Sequence, residues 1–266
     1  MGMHGRATDN AGSFPAAHLR LLAAVLCLGA VLLHHQVLAA GPAGDEAMSQ
    51  DEVALYADDY EDEGELIADP LEPMNRAIFA FNDKLYFYVL KPTARAYRVL
   101  PQGVRVSVSN FFSNLGAPIR MVNALFQFKL LDAGGELLRF GVNTTAGLGG
   151  LFDPAGRYLG LREKEEDFGQ TLGRYGVGPG IYLVLPALGP SSARDGIGRF
   201  VDGNYFDPVV IVPDETAEVV ALKALDAVNY LSLDKDTYEV VTRESLDPYT
   251  FIKNAYAQNR AGKVEK

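Results

Sequence analysis

Tryptophan is absent from this chain of 266 residues, cysteine occurs once, as Cys27, and the four histidines are His4, His18, His34 and His35. Every Cys and His therefore stands in the first 40 residues, and so do the marks of a secretory signal. Arg6 and Arg20 precede an apolar run over residues 21–33, which fits the roughly 7–15 residues of a signal-peptide h-region and falls short of the ~20 needed to cross a bilayer. Val37-Leu38-Ala39-Ala40 follows, with small residues where a signal peptidase cuts. Cleavage after Ala39 or Ala40 predicts an exported chain without His, Cys or Trp. That loss excludes disulfides, thiol redox chemistry, His-containing zinc sites and Ser-His-Asp or Cys-His nucleophiles. Carboxylates, Lys, Ser, Thr and Tyr remain as catalytic candidates.

Cys27 raises the alternative of a lipidated first residue. It is badly set for that, because Leu26 stands where a small residue belongs and the apolar run continues through Leu33. The reading is an h-region cysteine lost on processing, with lipidation as the alternative.

Positive charge is missing from residues 45–66, which hold ten acids. Removing these ten leaves 24 acids against 24 Lys and Arg, so the net charge of −10 belongs to a linker and not to the fold. Such a run reads as a solvated tether. A near-neutral domain offers no basic footprint for nucleic acid.

Residues 168–195 combine six glycines, among them Gly176, Gly178 and Gly180, with the apolar run 181–188. Pro179, Pro186 and Pro190 keep that run out of a helix, and the segment reads as shaped surface rather than core filler. Period-two alternation is convincing only over residues 181–185, which allows one short hairpin. Gly176-Val177-Gly178-Pro179-Gly180 lacks the GxGxxG spacing and any following Lys-Ser/Thr, so it is no phosphate loop. Pro190-Ser191-Ser192 lacks GxSxG, so it is no nucleophile elbow. No cofactor is expected.

Helices dominate elsewhere. Asp69-Pro70-Leu71-Glu72-Pro73 opens an amphipathic helix through Ile78, Phe79, Leu85, Val89 and Leu90, with Lys91-Pro92 ending it. Val104 to Leu115 predicts a second, closed by Gly116 and Pro118. Ile119 to Leu130 predicts a third, stopped by Gly134-Gly135, and residues 136–142 a fourth. Residues 216–231 predict a helix with Val219, Leu222, Leu225 and Val228 on its apolar stripe. A last helix is expected from Asp247 to Gln258. Glu163, Glu165, Glu166 and Asp167 read as a solvated charged face, with a carboxylate pair for hydrolysis as the catalytic alternative. Arg194, Asp195 and Asp202 are expected to tie a loop to a helix end. Phe79, Phe81, Tyr86, Phe87 and Tyr88 read either as core or as an interfacial belt beside Lys84, Lys91 and Arg95.

Ordered motifs then add up. They are Asp69-Pro70-Leu71-Glu72 with Asn75-Arg76, Phe79, Phe81-Asn82, Asn110-Phe111-Phe112 and Asn114-Leu115. Arg139-Phe140, Asn143-Thr144-Thr145, Gly149-Gly150 and Asp153 follow. Phe168-Gly169, Thr171-Leu172-Gly173, Tyr175-Gly176-Val177-Gly178, Leu185-Pro186, Gly189-Pro190-Ser191 and Arg194-Asp195 come next, and then Ser245-Leu246-Asp247-Pro248-Tyr249 and Ala255-Tyr256. The set resembles the MlaA family, also called VacJ, over roughly residues 69–260. The resemblance implies an all-α ring of amphipathic helices around a central amphipathic channel, held at the periplasmic face of the Gram-negative outer membrane. It implies three partners: phospholipids, a trimeric porin and a soluble periplasmic carrier. The implied task is retrograde phospholipid removal that preserves lipid asymmetry, without enzymatic chemistry.

The expected organisation is a signal peptide over 1–40, an acidic linker over 41–68, the transport domain over 69–260 and a tail over 261–266. Asn75, Phe79, Phe81, Asn82, Tyr175, Gly176, Gly178, Gly180, Leu183 and Leu185 are the residues expected at the lipid passage or its mouth. The alternative is a non-transporting envelope or porin-associated structural protein.

Overall fold

The computed structural model describes residues 66–265 apart from Lys235. The signal peptide, Cys27 and nearly all of the acidic linker lie outside the described residues. The linker's last residues already belong to the fold: Ile67 is buried, and Ala68 O accepts from Tyr182 N–H at 2.9 Å.

Pro73 and Glu72 in the first turn open α1 (Glu72–Leu85) as expected. Lys91-Pro92 does not end it. The chain passes through one π-helical turn (Tyr86–Leu90) into α2 (Lys91–Tyr97). Lys91 N–H bonds five residues back to Tyr86 O, and this widened turn accommodates the proline ring and its missing donor.

The predicted second and third helices are one, α3 (Gln102–Phe126), with Pro118 inside it. Gly134 and Gly135 likewise lie within α4 (Leu130–Thr145) and do not stop a helix. In both cases the long packed face of α3 against α4 overrides local propensity. Gly116 is a slot: a Cβ there would sit 2.9 Å from Arg120 Nη1.

Four short elements follow, each introduced by a polar cap. Asp153 caps α5 (Pro154–Leu159), Asp167 caps α6 (Phe168–Arg174), Ser192 caps α7 (Ala193–Tyr205) and Asp207 caps α8 (Pro208–Ile211). Between α6 and α7 lies the expected hairpin, β1 (Tyr182–Leu185) antiparallel to β2 (Gly189–Ser192), with Tyr182 opposite Ser192. Last come α9 (Thr216–Leu233), α10 (Thr237–Glu244) and α11 (Pro248–Glu265), the last running past Gln258.

The predicted stripe of α9 is not its buried one. Val220, Ala227 and Leu231 are buried, whereas Leu225 is exposed.

The hairpin is core, not surface. Tyr182 and Val184 join Ile67, Tyr249 and Tyr256 in one buried cluster. A larger cluster joins Leu85, Tyr86, Leu90, Ala227, Leu231 and Phe251 from α1, the π turn, α9 and α11. Contacts between elements close a circuit: α1 meets β1, β2 meets α7, α7 meets α6, α6 meets α3, α3 meets α9, and α9 meets α2, which continues α1. α4 stands off this circuit, packed chiefly on α3 and α5.

Candidate functional site

The expected site residues divide between a clamp and an exposed loop. Asn75 and Asn82 are two helical turns apart on one face of α1 and both grip the hairpin. Asn75 Nδ2 donates to Tyr182 O at 3.1 Å and to Asp69 Oδ1 at 2.8 Å, while its Oδ1 accepts from Val184 N–H at 2.8 Å. Asn82 Nδ2 donates to Leu185 O at 3.0 Å and its Oδ1 accepts from Ala187 N–H at 2.6 Å. Each amide thus substitutes for a missing neighbouring strand. With both side chains buried and so engaged, neither offers an open wall.

Phe79 packs edge-on against Tyr249, with ring centroids 5.7 Å apart. It lines a groove of about 550 Å³ with Asp83, Phe87, Glu239, Thr242, Arg243 and Pro248. Phe81 is exposed. The aromatic group on this helix is therefore split, with Tyr86 buried and Phe81, Phe87 and Tyr88 facing outward.

Tyr175, Gly176, Gly178 and Gly180 lie on an exposed loop. Gly176 and Gly180 take φ of 85° and 72°, which fits glycine. Tyr175 OH donates to Phe126 O at 2.6 Å, tying this loop to the end of α3. Leu183 and Leu185 are half-buried, alternating with the buried Tyr182 and Val184.

Sequence reasoning missed the principal feature, the polarity of α3 and α4. Their buried residues include Asn114, Arg120 and Asn123 on α3 and Glu136, Arg139 and Asn143 on α4. Many of the large apolar residues face out, although Phe112 is buried. Phe128, between the helices, and Leu131, at the start of α4, are 78% and 91% exposed, and Leu125, Phe126, Leu130, Leu137 and Leu138 are exposed with them. This is the reverse of a water-soluble helix pair. One signal existed in the sequence: Arg120, Asn123 and Gln127 share the spacing of three and four residues with Glu136, Arg139 and Asn143.

Most of the enclosed polar groups are matched, although Gln127 Oε1 and Arg139 Nε are buried without a partner. Arg120 Nε donates to Glu136 Oε2 at 2.8 Å, and Lys164 N–H donates to Glu136 Oε1 at 2.8 Å. Asn143 Nδ2 donates to Asp153 Oδ1 at 2.8 Å, and Arg139 reaches the same carboxylate at 3.4 Å. Glu166 accepts from Gln127 and Lys129, both at 2.8 Å. Glu163 pairs with Arg120 at 3.0 Å and accepts from Ser113. Of the acids read as a solvated face, Glu163 and Glu165 are exposed as expected, while Glu166 is buried; Glu163 and Glu166 tie the following loop to Arg120 and Gln127, and Glu165 pairs with Lys263. Glu163 and Glu166 are occupied by separate partners, which disfavours the hydrolytic pair.

Asp202 Oδ1 accepts from Asn123 Nδ2 and its Oδ2 from Phe168 N–H, both at 2.8 Å, so it does tie a helix start to a neighbour. A second charged knot fastens α11. Arg260 donates to both oxygens of Asp167 at 2.6 and 2.9 Å and to Asp195 Oδ2 at 2.7 Å. Tyr256 OH and Arg194 Nε complete the Asp195 shell.

Burial alone would raise Asp167 and Asp195, but the charge and hydrogen bonds of Arg260 outweigh it and hold both below the ordinary range. Burial prevails at Asp202 and pushes it up to about 6, against the hydrogen bonds from Phe168 and Asn123. The signs are opposite. Asp167 and Asp195 give stability that is complete above the unfolded value of about 3.9 and is lost as pH falls through their depressed values. Asp202 favours folding when protonated, so its contribution grows as pH falls through about 6. Melting temperature is expected to rise from pH 7 towards about pH 4.5 and then fall. In Asp202→Asn the rise should vanish and the acid-side fall remain; an unchanged profile would contradict the assignment.

Among the described residues no helix is long and apolar enough to cross a membrane, and no group of His, Cys, Asp and Glu could hold a metal ion.

The family profile described as "MlaA lipoprotein" matches residues 67–263. An uncharacterized protein of Rickettsia bellii is 37% identical over 203 residues, which is 75% of this chain and 78% of that protein. The Escherichia coli K12 protein named "Intermembrane phospholipid transport system lipoprotein MlaA" is 37% identical over 197 residues, 72% of this chain and 76% of that one. A solved structure described as "Structural basis for maintenance of bacterial outer membrane lipid asymmetry" superposes with a TM-score of 0.63 at 37% identity, covering 74% of this chain and 99% of that one.

Proposed function

This chain belongs to the MlaA lipoprotein family, and from that premise we propose that it is a phospholipid-transport component of the Gram-negative outer membrane. In this reading it takes phospholipids that have strayed into the outer leaflet and hands them to a soluble periplasmic carrier. It sits at the periplasmic face beside a trimeric porin. The mechanism is passive, because moving a lipid between surfaces makes no bond and needs no nucleotide.

The observation that carries the reading is the inverted polarity of α3 and α4. Many large apolar side chains face outward and mostly matched polar groups face inward, an arrangement suited to hydrocarbon, where water is absent. In this reading the pair lies within one leaflet. A phospholipid has a charged head and two apolar tails, so its passage needs one wall of each kind. In this reading the circuit of helices offers both kinds to one molecule. The passage is bordered by Phe79, Phe81, the exposed loop carrying Tyr175, Gly176, Gly178 and Gly180, and the half-buried Leu183 and Leu185.

The test is reconstitution with porin in vesicles of asymmetric lipid composition, with a periplasmic acceptor outside. Adding this protein is expected to speed phospholipid arrival on the acceptor at least tenfold. Unchanged transfer would overturn transport and leave the non-transporting structural role.

A further inference from the structure

Most cations enclosed by this fold have an acid of their own, and Arg199 does not. On α7, Arg194 is paired with Asp195 at 2.8 Å. Arg260, from α11, takes Asp167 and Asp195. The nearby Asp202 has both oxygens occupied by Asn123 and Phe168. Arg199 is left with one long contact, Nη2 to Pro190 O at 3.5 Å, and its Nη1 is buried without a partner. The charged and titratable groups that face it are Asp195 on its own helix, Asp167 from α6, and Tyr256 and Arg260 from α11. Burial lowers the Arg199 guanidinium below its ordinary value, so this charge is poorly solvated where it stands.

The helix face beside it is bare. Gly196 and Gly203 lie one turn before and one turn after Arg199. A Cβ on Gly203 would meet nothing within 4 Å, and one on Gly196 would reach only Ser191 Oγ at 3.9 Å. A change of rotamer from its one long contact would carry the guanidinium into that space. A guanidinium fork matches two oxygens of a phosphate and is weakly hydrated, which makes a phosphate monoanion its natural complement.

We propose that Arg199 is a phosphate handle: its guanidinium pairs with the phosphodiester of a phospholipid in the space beside Gly196 and Gly203. The proposal rests on the reading that phospholipid passes through this protein. It adds a residue that distinguishes phospholipids from phosphate-free lipids.

The full chain in detergent is titrated with short-chain phosphatidylglycerol, with the matching diacylglycerol and with inorganic phosphate. The wild type should bind the phospholipid at least tenfold more tightly than the diacylglycerol. Arg199→Gln should bring that ratio close to one at an unchanged melting temperature, and Arg199→Lys should restore part of it. A wild type that binds both lipids equally, or an Arg199→Gln variant that keeps the ratio, overturns the handle while the passage stands. Inorganic phosphate binding as tightly as the phospholipid assigns a free-anion site and also overturns it. Binding of neither lipid overturns the passage itself.

Discussion

Glu136→Leu is expected to destabilise the fold by about 3–5 kcal/mol, the range for removing one partner of a buried ion pair. Glu136 is 1% exposed, and its two oxygens serve Arg120 Nε and Lys164 N–H, each at 2.8 Å. Leucine in its place leaves a backbone donor without an acceptor. It also leaves a guanidinium whose remaining carboxylate, Glu163, is partly exposed. The double variant Arg120→Met/Glu136→Leu should recover most of the loss, because a buried pair replaced by apolar side chains of similar volume is often neutral. Chemical denaturation in detergent gives both numbers. Equal losses in the single and double variants would show that the pair is not the linkage between α3 and α4.

Leu130→Asp/Leu131→Asp is expected to weaken partitioning onto phospholipid vesicles by about two orders of magnitude or more. Burying a leucine is worth roughly 1.5–3 kcal/mol, and two are removed here, before the cost of placing carboxylates among acyl chains. Both leucines are exposed at the start of α4. The melting temperature in detergent should therefore stay within about a degree, since exposed substitutions usually change stability by less than ~0.5 kcal/mol. Vesicle flotation measures the partitioning. Undiminished flotation of the double variant would move the membrane contact away from this turn.

How far the sequence could be read depended on whether the deciding interaction was local. The alternation over residues 181–185 is local, and the hairpin appeared there. The asparagines of α1 stand out in the sequence, but their hydrogen bonds to the hairpin do not. That Asn75 grips Val184, 109 positions away, is written in no spacing. Pro118 and Gly134 are local stop signals that failed because α3 and α4 pack along their length. Gly198 illustrates the same limit. A Cβ there would fall 2.4 Å from Gly169 N, so the residue is glycine because α6 and α7 touch backbone to backbone. The inverted helix pair was visible only as two matching polar triplets, which mean nothing until one knows which side of each helix is inside.

The Arg260 knot bears on the order in which this chain can finish folding. α6 and α7 carry the acids of that knot, while its cation arrives on the last helix. Until the last helix has been synthesised, Asp167 and Asp195 have no guanidinium from α11, and the hairpin lacks Tyr249 and Tyr256 against Tyr182. Completion of the circuit therefore waits on the C-terminus. Vulnerability to proteolysis and to capture by chaperones should be concentrated in that interval.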